Sequence, residues 1–178
     1  MNLPTIKPPF RKLQSTDFEL MRDFIIDSSK SRHDEFEMMD NEEMKAWMDK
    51  WLQRIKEGTG VFYVLEEDGI IQAWMSCISS PYSQNTLKLS FRFLRENVDF
   101  PRRRKILSNN ILAILQGGHW HRLESVCSAD DQESRDLLVL CGFRLEGTIR
   151  QSLNLRSGWT DLSIYGVLQS DLPLENRV

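Results

Sequence analysis

Between Asp40 and Gly58 the apolar residues Met44, Trp47, Met48, Trp51, Leu52 and Ile55 recur at i, i+3, i+4, i+7, i+8 and i+11. That spacing lines them along one stripe of an α-helix, so the segment is an amphipathic helix whose tryptophan-bearing face needs something to pack on. Asp40 with Glu43 supplies a capping box, and Gly58 supplies the C-terminal stop. Directly afterwards the period drops from 3.6 to 2. Val61 to Glu67, the turn Asp68-Gly69 and Ile70 to Ser79 read as a β-hairpin rich in β-branched and aromatic residues. Leu87 to Leu94 alternates strictly and adds a third strand. A helix of this kind feeding a meander predicts an α/β domain.

The flanking segments extend the pattern. After Pro4, Pro8 and Pro9, Phe10 to Leu13 reads as a short strand. Thr16 with Glu19 then forms a capping box for a helix reaching about Ser28. Beyond Pro101 and the basic run Arg102 to Lys105, Ile106, Leu107, Ile111, Ile114 and Leu115 mark another helix, ended by Gly117-Gly118. Leu123 to Cys127 is a strand, Asp130 or Asp131 caps a helix through Cys141, and Gly142 closes it. The remainder reads as two strands joined near Ser157-Gly158. The order β α α β β β α β α β β predicts a mixed, mostly antiparallel sheet with helices on both faces.

Composition narrows the function classes. The 178 residues are 40% hydrophobic and 28% charged, the balance of one globular domain spanning residues 1–178. A chain of this length buries roughly two-thirds of its unfolded surface, so neither disulfide nor metal is required for stability. A net charge of -3, with both signs spread along the chain, argues against nucleic acid and against a membrane surface as partners. Cys77, Cys127 and Cys141 sit singly in apolar runs and are expected buried and reduced. The leading segment lacks an apolar targeting core, and no run of about 18 apolar residues occurs, which makes the cytoplasm the expected location.

Ser134, Gly142, Phe143, Glu146 and Gly147 fit the pattern N-x-x-S-x-x-x-x-x-x-x-G-F-x-x-E-G, with Asp131 at the position of the Asn. Arg150, Gly158, Asp161, Tyr165 and Gly166 continue it. On these residues and the element order, the chain from Phe10 to Asp171 resembles the GNAT superfamily of N-acyltransferases, in particular the branch containing ribosomal-protein N-terminal acetyltransferases. Gly142-Phe143 also has a plain reading, a helix stop followed by a packed strand residue.

The resemblance implies acetyl-coenzyme A as acyl donor and an amine, of a small molecule or of a peptide N-terminus, as acceptor. Its phosphate motif, R/Q-x-x-G-x-G/A, works because glycines let backbone N–H groups at a helix start approach an anion. Here the stretch is Arg102, Arg103, Arg104, Lys105, Ile106 and Leu107, with Lys105 and Leu107 where small residues are usual. The cations either pair with cofactor phosphates or form a solvated basic loop. By the same resemblance a backbone N–H near Phe93 and Leu94 polarises the thioester, and Ser134 serves the leaving thiolate or else merely starts a helix. Glu96, Asp99, Glu35 and Glu37 are alternative bases, each equally readable as a surface carboxylate. His33, His119 and His121 lack a ligand spacing. Trp47 and Trp51 either line an acceptor pocket or form core. Homodimers are common in that family, and no residue of this chain identifies such a contact. The alternative to an N-acetyltransferase is a catalytically silent domain of the same fold that binds a partner protein or other ligand through the cleft.

Overall fold

The computed structural model describes residues 3–29, 39–80, 82–83, 85–117, 119–155 and 157–171. Its elements follow the predicted order: β1 (Arg11–Lys12), α1 (Phe18–Ser29), α2 (Asn41–Glu57), β2 (Gly60–Glu67), β3 (Ile70–Ser79), β4 (Thr86–Phe93), α3 (Phe100–Gln116), β5 (Arg122–Ser128), α4 (Gln132–Leu140), β6 (Arg144–Leu155) and β7 (Gly158–Leu168).

Local signals act largely as read. Asp40 accepts the Glu43 N–H at 2.8 Å while Glu43 accepts the Asp40 N–H at 3.0 Å, closing the capping box of α2. Gly58 ends that helix in the left-handed region, φ 69°. Asp68 and Gly69, with φ of 53° and 75°, make the tight turn whose twist suits a two-residue hairpin. One start signal is corrected. The chain enters α1 through a 3-10 turn at Ser15–Asp17 rather than a Thr16/Glu19 box. Asp17 is buried there because it accepts from the Gln14 N–H at 2.8 Å and from both terminal nitrogens of Arg11.

The seven strands form one sheet in the order β1-β2-β3-β4-β5-β7-β6. All neighbours are antiparallel except β4 and β5, joined through the α3 crossover. Alternate side chains then divide between two cores. On one face Tyr63, Leu65, Met75, Leu87, Leu89 and Phe93 pack with Leu107, Ile111, Ile114 and Leu115 of α3 and Leu137 and Leu138 of α4. On the other, Phe62, Val64 and Trp74 receive Met21, Phe24 and Ile25 of α1 and Met44, Met48 and Trp51 of α2. The tryptophan stripe of α2 is therefore core: Trp51 meets Phe62 at 5.1 Å, and half-buried Trp47 meets it edge-on at 5.5 Å. Among the described residues no helix is long and apolar enough to cross a membrane.

Candidate active site

β4 and β5 run parallel for three pairs only, Thr86↔Arg122, Leu87↔Leu123 and Lys88↔Glu124. Past that seam the strands diverge, although each keeps its outer neighbour. β4 stays paired to β3 as far as Phe93, and β5 stays paired to β7 as far as Ser128. The sheet thus carries a fork at the C-terminal ends of its two parallel strands.

Which backbone groups line the fork follows from alternation. Thr86 O accepts from Ser80 N at 2.9 Å, and Leu94 N donates to Gln72 O at 2.8 Å, so even-numbered residues of β4 bond to β3. The N–H groups of Phe91 and Phe93 consequently face the fork, that of Leu89 being used in the last pair of the seam. On β5, Ala129 N donates to Asp161 O and His121 O accepts from Gln169 N, so odd residues bond to β7 and Val126 and Ser128 face the fork. Of the two residues predicted at the splay, Phe93 directs its N–H inward, whereas Leu94 spends its N–H on β3. The Phe91 and Phe93 rings lie 6.0 Å apart.

The basic run does not form a loop. Arg102 to Lys105 lie in the first turns of α3, which begins at Phe100 with Pro101 next. Asp99, a candidate base, is its cap: its carboxylate accepts the Arg102 N–H at 2.8 Å, and its carbonyl accepts that of Arg103 at 3.0 Å. Arg102 pairs with Glu67 across the surface, and that hydrogen bond holds its guanidinium above its ordinary value. Arg103 is buried, pairs with Glu133 and lies over the Phe100 ring at 5.6 Å. Arg104 and Lys105 are exposed, and Ile106 packs against the core.

Facing this turn is the start of α4. Asp131 is its cap, accepting from Ser134 N at 3.1 Å and from Ser134 Oγ at 2.7 Å. Its carboxylate also takes Arg95 Nη2 at 2.5 Å, while Arg95 Nε reaches Glu133 at 3.0 Å. Ser134 is therefore buried, its hydroxyl engaged by Asp131 and approached by Arg95 Nη2 at 3.4 Å. Phe91, Phe93, Arg95, Arg103, Glu133 and Ser134 enclose a cavity of about 10 Å³, room for one water at most.

The fork thus unites Phe93, Arg103, Asp131 and Ser134 from the predicted set. Glu96 lies nearby in the turn after β4 but points to solvent. Glu35, Glu37 and His33 lie outside the described residues. His119 and His121 are exposed, and no group of described residues could hold a metal ion. Arg95, Glu67 and Glu133 were not singled out from the sequence. A weak signal existed for Glu133, an acid in the first turn of a helix. None existed for Arg95, whose partners come from an element 36 residues on.

No protein-family model and no curated protein matches the sequence. Solved structures do match. The RimJ of Mycobacterium smegmatis, in complex with a coenzyme A disulfide, superposes with a TM-score of 0.76 at 15% identity, covering 92% of this chain and 83% of that one. The ribosomal-protein-S5-alanine acetyltransferase of Vibrio fischeri gives 0.72 at 15% identity, covering 92% and 94%. The spermidine N-acetyltransferase of Vibrio cholerae, in complex with coenzyme A and spermine, gives 0.73 at 14% identity, covering 91% and 95%. With its forked mixed sheet and two pairs of helices, the chain has the fold of the GNAT acetyltransferases.

Proposed function

We propose that the chain is an acetyl-coenzyme A dependent N-acetyltransferase acting on a primary amine of a small molecule or a protein N-terminus. The observation that carries this reading is the β4/β5 fork, where Phe91, Phe93, Val126 and Ser128 present backbone groups to an extended, amide-bearing ligand. Acetyl-coenzyme A supplies an acyl group activated as a thioester. Phe93 N–H is the donor placed to polarise its carbonyl, a role a fixed backbone dipole performs without reorganisation. Ser134 serves the departing sulfur once its hydroxyl turns from Asp131, and Asp131 holds it in place until then. Glu96 is the candidate base, reaching the incoming ammonium from the solvent side. Neighbours named for a ribosomal protein and for spermidine support an amine as the acceptor class. We further propose cytoplasmic action and a homodimer formed through β6 and β7, where Leu145, Ile149 and Trp159 are exposed.

One observation favours a second reading. The position of the glycine loop is occupied by a helical turn whose leading N–H groups are bound to Asp99, and this suits a catalytically silent domain that binds a partner through the cleft. Calorimetric titration with acetyl-coenzyme A at low and moderate salt, followed by an acetylation screen over small amines and N-terminal peptides, separates the two. Micromolar binding with turnover of any amine is the result expected of the enzyme. Absence of binding at both salts makes the silent reading the correct one.

A further inference from the structure

Phe91, Phe93 and Arg95 follow one another at every second residue along β4 and its exit. Pairing with β3 runs on to Leu94, whose N–H bonds to Gln72 O, so alternation carries the Arg95 side chain to the face that holds the two phenylalanine rings. There it meets α4. Its Nη2 lies 2.5 Å from Asp131 Oδ1 and 3.4 Å from Ser134 Oγ, and its Nε lies 3.0 Å from Glu133. Two carboxylates thus fix the direction of the guanidinium, and 18% of the side chain stays exposed, so a ligand can touch it. The Ser134 hydroxyl donates to Asp131 Oδ2 at 2.7 Å, a bond strengthened by the charge on its acceptor. A serine hydroxyl is also a weaker acid than a thiol, so once turned it hydrogen-bonds a thiolate and keeps its own proton. The full negative charge then stands beside two phenylalanine rings, which is costly without a cation. Two cations line this cavity. Arg103 is engaged by Glu133 and lies over the Phe100 ring, whereas Arg95 is the one that approaches Ser134 Oγ.

Resting on the acetyltransferase reading, we propose that Arg95 receives the departing sulfur as a thiolate, with the Ser134 hydroxyl as its second donor. The amine nitrogen bonds to the acyl carbon while Phe93 N–H polarises the carbonyl. The carbon–sulfur bond then breaks, its electron pair leaves on sulfur, and the proton that the nitrogen sheds passes to Glu96, the candidate base. The sulfur stays an anion against the guanidinium, which carries its charge throughout the working range of pH and gives up no proton. Water protonates it after release. A cation already held in place meets developing charge without reorganising.

Binding and turnover are read separately. Coenzyme A and its desulfo analogue are titrated by calorimetry into the full chain and its Arg95→Gln, Arg95→Lys and Ser134→Ala variants, from about pH 7 to about pH 10, a range that brackets the usual thiol value of about 8.5. A nearby cation lowers the value of a bound thiol, so in the parent the affinity for coenzyme A is expected to rise with pH by about tenfold relative to the desulfo analogue. Comparing the two ligands cancels titration of the protein's own groups, Asp131, Glu133 and Arg103 among them. Arg95→Gln is expected to abolish the difference, and Arg95→Lys and Ser134→Ala to keep part of it. With an accepted amine, Arg95→Gln lowers kcat about a hundredfold while KM for the acyl donor stays within about threefold. A sulfur-specific rise that is absent from the parent, or equal in the parent and Arg95→Gln, overturns the proposal, and continued transfer to an amine then leaves the acetyltransferase reading intact. Should Arg95→Gln not fold, Arg95→Lys and the two ligands on the parent decide in its place. The expected binding pattern without transfer to any amine keeps the thiolate site and sinks the acetyltransferase reading. No binding of coenzyme A by any chain refutes both.

Discussion

Cys77 is wholly enclosed between β2 and β4, and burial alone pushes its thiol up to about 12. At pH 8 its reactive thiolate is then on the order of one part in ten thousand. An aromatic disulfide reagent should leave Cys77 unlabelled in the native protein and modify it in guanidinium, as read by absorbance and peptide mapping. Rapid native labelling would contradict the burial. Glu146 behaves oppositely: the Arg122 guanidinium hydrogen-bonded to it holds its carboxyl below the usual range. Because the folded value is depressed, the pair contributes above the unfolded pKa of about 4.3 and its contribution is lost as pH falls through the folded value. Urea midpoints of the parent and Glu146→Gln should differ slightly at pH 7 and converge near pH 3, the pair being half-exposed and therefore weak. A Cβ at Gly166 would meet the ends of the Arg122 and Glu146 side chains, which would have to shift to admit it. At this scale the sequence was legible in several groups that act on their chain neighbours, as Asp40 does on Glu43, though Asp99, read as a candidate base or a surface carboxylate, proved to be a local cap. It was silent where the partner is distant, since Ser134 met Arg95 only through folding.

Among the elements, α2 was the most readable because its stripe is long and its cap and stop are both local. Trp51→Ala should cost about 3 to 5 kcal/mol, since it opens a hole against Phe62 that neighbours can only partly fill. Denaturant unfolding checks this, and a loss below 1 kcal/mol would mean the stripe is not core. The first turn of α3 was misjudged for a physical reason. Four consecutive cations and a proline suggest a loop, yet proline suits the first turn of a helix and Asp99 satisfies the donors that proline leaves. Asp99→Ala should therefore cost about 1 kcal/mol in the same assay, while Glu96→Gln should cost nothing measurable in stability. If Glu96 is the base, that second variant lowers turnover alone.

For the molecule as a whole, helices on both faces and a mixed sheet were legible from element order. The placement of β7 between β5 and β6 was not, because strand order rests on pairings between residues far apart in the chain, as in Leu123↔Val167. The fork, too, was anticipated only by resemblance, since no single residue encodes where two strands part. Its consequence is mechanical. Three residue pairs are the whole parallel seam, so β1 to β4 and β5 to β7 are two plates sharing a short hinge. An elongated ligand lying in the fork would be a substitute strand riveting them together. Amide deuterium uptake at Phe91, Val126 and Ser128 should then slow together when such a ligand binds, and the plates should lose their separate breathing.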